Sequence, residues 1–371
     1  MSHRSVMRGA LAISGLAWIL NGSAALAQTT VGESFEIYTF SDPEAVGARS
    51  LTVLSAPFSV RVPILGSSST LSLEGAFARG EVETVRGKRY ELQGLTDSRL
   101  SLDLAVAGPL RAAFIAALPT GVQSMTADEA RVAALASSYL LPLRVNSWGS
   151  GGGVGGGASL TQAFEGSGLS VSASYLVKRE YDAFKNGGQA YRPGNQLLLR
   201  AFGYVDLSPS ARFTLQGGYS NRAEDQMSGA GIYRSGDQLE AVGALTFAAG
   251  ARGNAITYAG WMHRGEGERA EIFGGGSAPG EDLLLFGAGL RTPLGSVVLA
   301  PSADARVYRN DDGVGQGYVG SAMIGLEVPS GGVTLIPAIR GRYGNVDVRS
   351  GSSSSFTGAE FSLSVRMGGR P

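Results

Sequence analysis

The sequence is poor in the residues that build disulfides, thiolate metal sites and helical enzymes. It has no cysteine, which excludes a disulfide framework and any site built on thiolates. Lysine occurs only at Lys88, Lys178 and Lys185, so nearly every positive charge is an arginine that stays ionised. Charged residues make up 17% of the chain while glycine reaches 56 of 371 residues, a balance that favours strands and turns.

Long apolar runs are also missing beyond the N-terminal region. Arg4 and Arg8 precede a short apolar stretch, and Ala25-Leu26-Ala27 follows it, which predicts a cleaved signal peptide over residues 1–27. After Gln28, charges and glycines interrupt every apolar stretch, so any membrane insertion must use strands. Without Arg4 and Arg8, 29 basic residues face 31 acidic ones, and nucleic acid is not an expected partner.

From about Pro57 onward, apolar and polar residues alternate in successive segments. The final segment, for example, sets Phe361 and Leu363 against Glu360 and Ser362. A period of two predicts a β-strand with different surroundings on its two faces. Each segment is roughly 10 to 14 residues long, which exceeds the usual strand of a soluble sheet and is enough to cross a bilayer at a tilt.

Tight and long connections alternate between these segments. Gly108-Pro109 is a tight connection, whereas long polar connections are expected at 80–95, 120–155 and 345–355. Short periplasmic turns and longer external loops are typical of outer-membrane barrels. The sequence therefore predicts an all-β, antiparallel transmembrane outer-membrane β-barrel of about 14 strands, within a range of 12–16.

The predicted organisation has three parts: the signal peptide 1–27, an N-terminal segment 28–56, and the barrel 57–371. The segment 28–56 is either the first strand or a plug inside the lumen, and the alternation does not decide between them. One long connection is expected to contain a short helix, because Thr126 and Glu129 form a capping-box pattern.

Charged residues on the polar faces of the predicted strands form the candidate site. An arginine facing lipid near mid-membrane would cost about 2–4 kcal/mol, so these side chains are expected to line the lumen. The lumen-lining candidates are Arg61, Glu74, Asp103, Arg200, Arg212, Glu240, Asp304, Arg306, Arg340, Arg342, Glu360 and Arg366. Their mixed signs allow two roles, bracing of the wall by Arg–carboxylate pairs or selection of a solute.

Aromatic residues near strand ends are expected to form girdles at the two membrane surfaces, where their amphipathic rings fit. These residues are Tyr175, Tyr181, Tyr204, Tyr219, Tyr233, Trp261, Tyr308, Tyr318 and Tyr343. His263, the one histidine after the predicted signal peptide, is expected at the membrane rim beside Trp261. No catalytic residue, metal site or cofactor is predicted, since most catalytic and metal constellations need more such groups than His263 supplies.

Three short motifs resemble a family of exported barrels labelled as the meta-pathway of phenol degradation, which is distantly similar to the long-chain fatty-acid transporters. The motifs are Leu118-Pro119-Thr120-Gly121, the stretch from Pro142-Leu143-Arg144 to Gly149-x-Gly151, and Tyr191-Arg192-Pro193-Gly194. The resemblance implies a barrel that passes hydrophobic or aromatic compounds across the outer membrane. It carries over no individual ligand residue.

The sequence thus favours an outer-membrane channel or transporter for the passive passage of small, hydrophobic or aromatic molecules. A structural or adhesive surface barrel with a sealed lumen is the alternative. A third hypothesis is an outer-membrane lipid hydrolase that uses His263. It is disfavoured because no serine lies within ten residues of that histidine. The expected partners are outer-membrane lipids and lipopolysaccharide, a small-molecule solute and the barrel-assembly machinery, and the expected location is the cell outer membrane.

Overall fold

The computed structural model describes residues 28–64, 69–145, 147–250, 252–271, 275–313, 316–349 and 352–367. The predicted signal peptide, residues 1–27, lies outside this part of the chain. Within it, strands dominate and two short helices occur, α1 (Pro43–Val46) and α2 (Ala127–Ala136). No helix among the described residues has the length and apolarity to cross a membrane.

Sixteen antiparallel strands form the wall of a closed barrel. They are β1 (Gln28–Phe40), β2 (Ser50–Ile64), β3 (Ser69–Glu83), β4 (Arg89–Leu95, continued by Ser98–Ala107), β5 (Leu110–Leu118), β6 (Gly153–Phe164), β7 (Ser167–Lys178), β8 (Gln196–Ser208), β9 (Ala211–Arg222), β10 (Gln238–Ala249), β11 (Gly253–Arg264), β12 (Glu281–Leu294), β13 (Val297–Asn310), β14 (Gly317–Ser330), β15 (Val333–Arg349) and β16 (Ser352–Met367). Each strand pairs with its neighbours in sequence, and β1 also pairs with β16, which closes the ring and leaves no free edge.

The strand count corrects the expectation of about 14. The segment 28–56 contributes β1 and the first part of β2 to the wall, and its boundary with 57–371 falls inside β2. The expected loop over 80–95 is mostly strand as well, because only residues 84–88 separate β3 from β4. Likewise β15 and β16 extend across most of 345–355, so strand pairing continues where a long loop was expected.

The connections give the barrel two different ends. The first residue of β1 and the last residue of β16 lie at one end, called here the terminal end, together with tight turns such as Glu165-Gly166 and Gly295-Ser296. Gly166 and Gly295 have φ angles of 67° and 64°, the left-handed conformation that tight hairpins require. The loop end carries the longer connections 119–152, 179–195, 223–237 and 265–280.

Alternate residues of each strand face the barrel interior. The exposed large apolar side chains lie mainly on the outer face; Leu215, Ile324 and Phe361, for example, are 51%, 57% and 53% exposed. The main apolar cluster lies inside the barrel near the loop end, where Tyr38, Leu51 and others are completely buried. The polarity of the wall therefore differs between its two faces and along its height.

A smaller sheet of six strands lies among the loop-end connections. Its members are Tyr181–Asp182, Ala190–Arg192, Asp225–Met227, Ala230–Arg234, Gly267–Arg269 and Ser277–Ala278. They pair in an antiparallel order that follows the sequence. Three consecutive long connections are thereby joined to one another.

Candidate functional site

The barrel interior brings the sequence-predicted candidates onto one face. In the strand register, all twelve occupy inner positions, the face that also carries Tyr38 and Leu51: Arg61, Glu74, Asp103, Arg200, Arg212, Glu240, Asp304, Arg306, Arg340, Arg342, Glu360 and Arg366. They do not form one cluster. Six of them lie on β13, β15 and β16, where ion pairs link Asp304, Arg340, Glu360 and Arg342, and the other six are spread over β2, β3, β4, β8, β9 and β10.

The densest part of the interior is a buried ionic cluster on neighbouring strands. Arg342 on β15 donates to Glu36 on β1 at 3.1 Å and to Glu360 on β16 at 2.5 Å. These three side chains are at most 3% exposed. Arg144 joins them from the connection 119–152: its backbone N–H donates to Glu36 at 3.1 Å and its Nε to Glu360 at 2.8 Å. A charge-assisted network therefore ties this connection to the wall.

The cluster continues along the wall through Arg340 and Asp304. Arg340 lies 3.5 Å from an oxygen of Asp304 and 3.6 Å from one of Glu360. The Ser321 hydroxyl donates a further hydrogen bond of 2.6 Å to Asp304. Arg340 therefore links the carboxylate of Asp304 to that of Glu360. One continuous network of ion pairs therefore joins the wall to the connection 119–152.

Residues 119–152, called here the inward segment, fold into the barrel from the loop end. Its helix α2 begins with the predicted capping box: Thr126 and Glu129 exchange hydrogen bonds of 2.7 and 3.2 Å. Val132 of α2 and Trp148 are buried in the interior cluster. They pack over Gly80 of β3, where a Cβ atom would lie only 2.8 Å from Val132 and 3.1 Å from Trp148. The wall thus needs glycine at this contact.

Asp97 holds the two stems of the inward segment together. It lies at the interruption of β4, and its carboxylate accepts hydrogen bonds from the Gly121 N–H at 3.1 Å and from Ser150. Ser150 donates both its N–H, at 2.6 Å, and its hydroxyl, at 2.8 Å. Gly121 follows β5 and Ser150 precedes β6, so a single carboxylate closes the base of the segment.

The opposite side of the interior stays open. On β8 and β9 the inner-face residues Arg200, Arg212 and Gln216 are exposed, and Phe202 keeps 42% of its surface accessible. Arg212 pairs with Asp206 at 2.6 Å and lies over the ring of Tyr204 at 4.4 Å. The inward segment therefore packs against one side of the interior and leaves inner-face side chains of β8 and β9 accessible.

The inward segment is also tied to the connection 179–195 at the loop end. Met125 forms a parallel β-bridge with Phe184, and Lys185 pairs with Glu129 at 2.7 Å. Burial would raise the pKa of Glu129, but hydrogen bonds from Lys185 and Thr126 outweigh it and hold that pKa below 4.5. This tie therefore depends on an ionised carboxylate.

His263 lies on the outer face near the loop end of β11. Its ring stacks on Trp261 with centroids 5.8 Å apart, and its Nδ1 lies 3.1 Å from Asp282. Trp261 Nε1 donates to the same carboxylate at 3.1 Å. Among the described residues, no group of three or more histidine, aspartate and glutamate side chains is arranged to hold a metal ion.

The girdle prediction is only partly correct. Tyr175, Tyr219, Trp261, Tyr318 and Tyr343 lie on the outer face in the half of each strand nearer the loop end. Tyr204 and Tyr308 face the interior instead, where Tyr308 stacks against Tyr139 of the inward segment. Tyr181 and Tyr233 belong to the smaller sheet. Alternation in a barrel assigns a face only once the register is known.

Several interior residues escaped the sequence analysis. Glu36 lies in the segment whose role was left open, and Arg144 and Asp97 lie in or beside irregular connections, where no periodicity assigns a face. Tyr258 occupies an inner position of β11 and lies close to Asp304 and Arg306. The alternation Ser34, Glu36, Tyr38 was the one local signal that could have placed Glu36 on the inner face.

The chain matches no protein-family model and no curated protein sequence. Its fold is similar to that of OprB from Pseudomonas putida, with 10% identity over 95% of this chain and 96% of that chain and a TM-score of 0.49. A loop L8 deletion mutant of OmpT, an outer membrane protein of Vibrio cholerae, gives 10% identity over 93% and 99% and a TM-score of 0.44. An anion-selective porin from Comamonas acidovorans gives 9% over 92% and 98% and a TM-score of 0.40. Because these sequence identities and TM-scores are low, the function must be inferred from the chain's own residues.

Proposed function

We propose that this chain is an outer-membrane channel for the passive passage of small molecules, narrowed by its inward segment. The observation that carries the proposal is the polarity of the closed wall: large apolar side chains cover its outer face while charged side chains occupy its inner face. A soluble barrel would bury the apolar face and expose the charged one. The opposite arrangement fits a barrel surrounded by lipid.

The dimensions of the wall support a membrane location. Strands of 12 to 14 residues, such as β9 and β12, rise about 40 Å along the strand and span roughly 30 Å of height at a tilt near 40°. Outer-face aromatics lie toward both limits, with Tyr219 near the loop end of β9 and Phe213 near its terminal end. Above this band, Arg79 of β3 pairs with Glu91 of β4 at 2.7 Å on the outer face, as expected for strands that continue into water.

The open side of the interior favours a channel over a sealed structural barrel. Arg200, Phe202, Arg212 and Gln216 remain exposed on the inner face although the inward segment fills the other side. A wall braced throughout by ion pairs would bury such side chains against partners. The resemblance to barrels for hydrophobic or aromatic compounds adds the solute class, and the aromatic rings of Phe202 and Tyr204 among inner-face arginines fit such solutes.

Conductance tests this proposal directly. The protein lacking residues 1–27 would be refolded, checked for heat-modifiable gel mobility, and inserted into planar bilayers. We expect steady, discrete single-channel currents. We also expect Arg144→Ala to increase the conductance, because it removes the side-chain hydrogen bond that holds the inward segment to Glu360.

A matched control separates loosening of the segment from loss of charge. Arg61 is an exposed inner-face arginine on β2, away from the inward segment, so Arg61→Ala removes the same charge without releasing that segment. Folded protein that never conducts would favour the sealed structural barrel. Protein that folds in water without membranes would contradict the membrane location. Lipid hydrolysis that disappears in His263→Ala would instead support the enzyme hypothesis.

A further inference from the structure

We propose that the lumen contains a binding site for a small aromatic carboxylate, formed by Arg306 and Tyr258 beneath the inward segment. The inference rests on the proposed channel function and names the solute class for it. The site is a cavity of about 250 Å³ on the inner side of β11 to β15. The side chains that line it are Ile256, Tyr258, Leu285, Asp304, Arg306 and Arg340, with small residues between them.

The cavity lies directly under the apolar cluster of the inward segment. Tyr308 of β13 is buried in that cluster, and Arg306 is the next inner position toward the terminal end. Asp304 follows two residues further along the same strand. Arg306 therefore faces the interior immediately below the apolar cluster, on the terminal-end side of it.

Arg306 supplies a positive charge that the wall does not neutralise by direct contact. Arg340 lies 3.5 Å from Asp304 and Ser321 donates to the same carboxylate at 2.6 Å, so Asp304 is already paired. Among the described residues, no side chain forms a hydrogen bond or ion pair with Arg306. Arg306 is half-buried and lines the cavity, so its planar guanidinium group can donate two parallel hydrogen bonds to a carboxylate.

Tyr258 adds an aromatic surface beside this charge. Its ring lies across Gly287 of β12, where any Cβ atom would overlap the ring atoms. The ring therefore lies along the wall instead of standing across the lumen. Ile256 and Leu285 provide apolar surface in the same cavity. A flat aromatic ring would contact Tyr258 in an offset stack while its carboxylate reaches Arg306.

The size of the cavity limits the ligand to one ring. A volume of 250 Å³ corresponds to about eight water molecules at ~30 Å³ each. Arg306 and Arg340 together with Asp304 leave one net positive charge at the site. A neutral ring lacks the group that this charge selects, and a carboxylate without a ring leaves the apolar surfaces in water. Benzoate has both parts and is the probe of choice.

The site is tested by isothermal titration of benzoate into the folded protein in detergent micelles, with benzyl alcohol and acetate as comparators. We expect benzoate to bind most tightly. Arg306→Gln should weaken benzoate binding roughly tenfold or more, since a charge-assisted pair is lost. Arg306→Lys should keep part of the affinity because the charge remains. Tyr258→Leu should weaken benzoate severalfold and leave acetate unchanged.

Arg61→Gln is the matched control, because it removes an inner-face arginine outside the cavity. Heat-modifiable mobility verifies that each variant is folded. Equal losses in Arg61→Gln and Arg306→Gln would mean a diffuse positive field and would overturn the site, as would a wild type that does not bind benzoate. Benzoate binding without conductance would contradict the proposed channel and support the binding site. Conductance without benzoate binding would support the channel and contradict the binding site.

Discussion

The buried position of Arg342 predicts that its removal destabilises the barrel more than the loss of any exposed inner-face arginine. Arg342 lies between Glu36 and Glu360 at 3.1 and 2.5 Å, and all three side chains are at most 3% exposed. Each contact near 3 Å corresponds to about 5 kcal/mol of Coulomb attraction at an effective dielectric of ~20. Desolvation offsets much of this, so the measurable cost of breaking such a group by removing one partner is about 3–5 kcal/mol.

The expected loss for Arg342→Met lies near the lower limit, about 3 kcal/mol, because Arg144 and Arg340 still contact Glu360. Urea titration of the protein folded into lipid vesicles, followed by tryptophan fluorescence, measures it. Arg61→Met, at an exposed position, should change the free energy of unfolding little. Adding Glu36→Gln to Arg342→Met should restore part of the loss, since one unpaired buried carboxylate disappears. A single variant as stable as wild type, or a double variant no better than the single, would refute the reasoning.

Three further predictions concern Asp97 at the base of the inward segment, the contact of Glu129 with Lys185 at the loop end, and the outer face. Asp97→Ala should increase protease cleavage within residues 119–152, because the Asp97 carboxylate accepts hydrogen bonds that contribute about 1.5–3 kcal/mol each and are not fully additive. The cleavage rate of Asp97→Asn should lie between those of Asp97→Ala and the wild type. The lowered pKa of Glu129 means that its tie to Lys185 is present at neutral pH and lost as pH falls through that pKa. The protection of α2 against hydrogen exchange, measured relative to the intrinsic exchange rate at each pH, should therefore decrease in acid, and in Glu129→Gln it should be low at every pH. Leu215→Arg, on the outer face, should destabilise the protein folded into vesicles by about 2–4 kcal/mol, whereas the adjacent inner-face Gln216→Arg should not.

Alternation predicted the barrel class because the two faces of the wall differ in polarity along most strands. It failed where the inner face is covered by protein. On β1 the inner Tyr38 and Phe40 are buried while the outer Phe35 is exposed, so both faces are apolar and no period of two survives. On β4 the inner Tyr90 and Leu92 are buried and the outer Arg89 and Glu91 are charged, the opposite pattern to that of strands such as β9.

Because the inward segment covers part of the inner face, local sequence patterns could not predict the ionic cluster at the centre of the candidate site. Three residues of this cluster, Glu36, Arg342 and Glu360, come from the two ends of the chain and are brought together by strand register, whereas Arg144 is placed by the inward segment. Once β1 pairs with β16, two carboxylates become neighbours and require buried positive charge between them. Arg342 provides it from the wall and Arg144 from the inward segment. Closure of the barrel and placement of the inward segment are therefore coupled: a variant that weakens the contact of Arg144 with Glu360 should loosen the β1–β16 seam as well as the constriction.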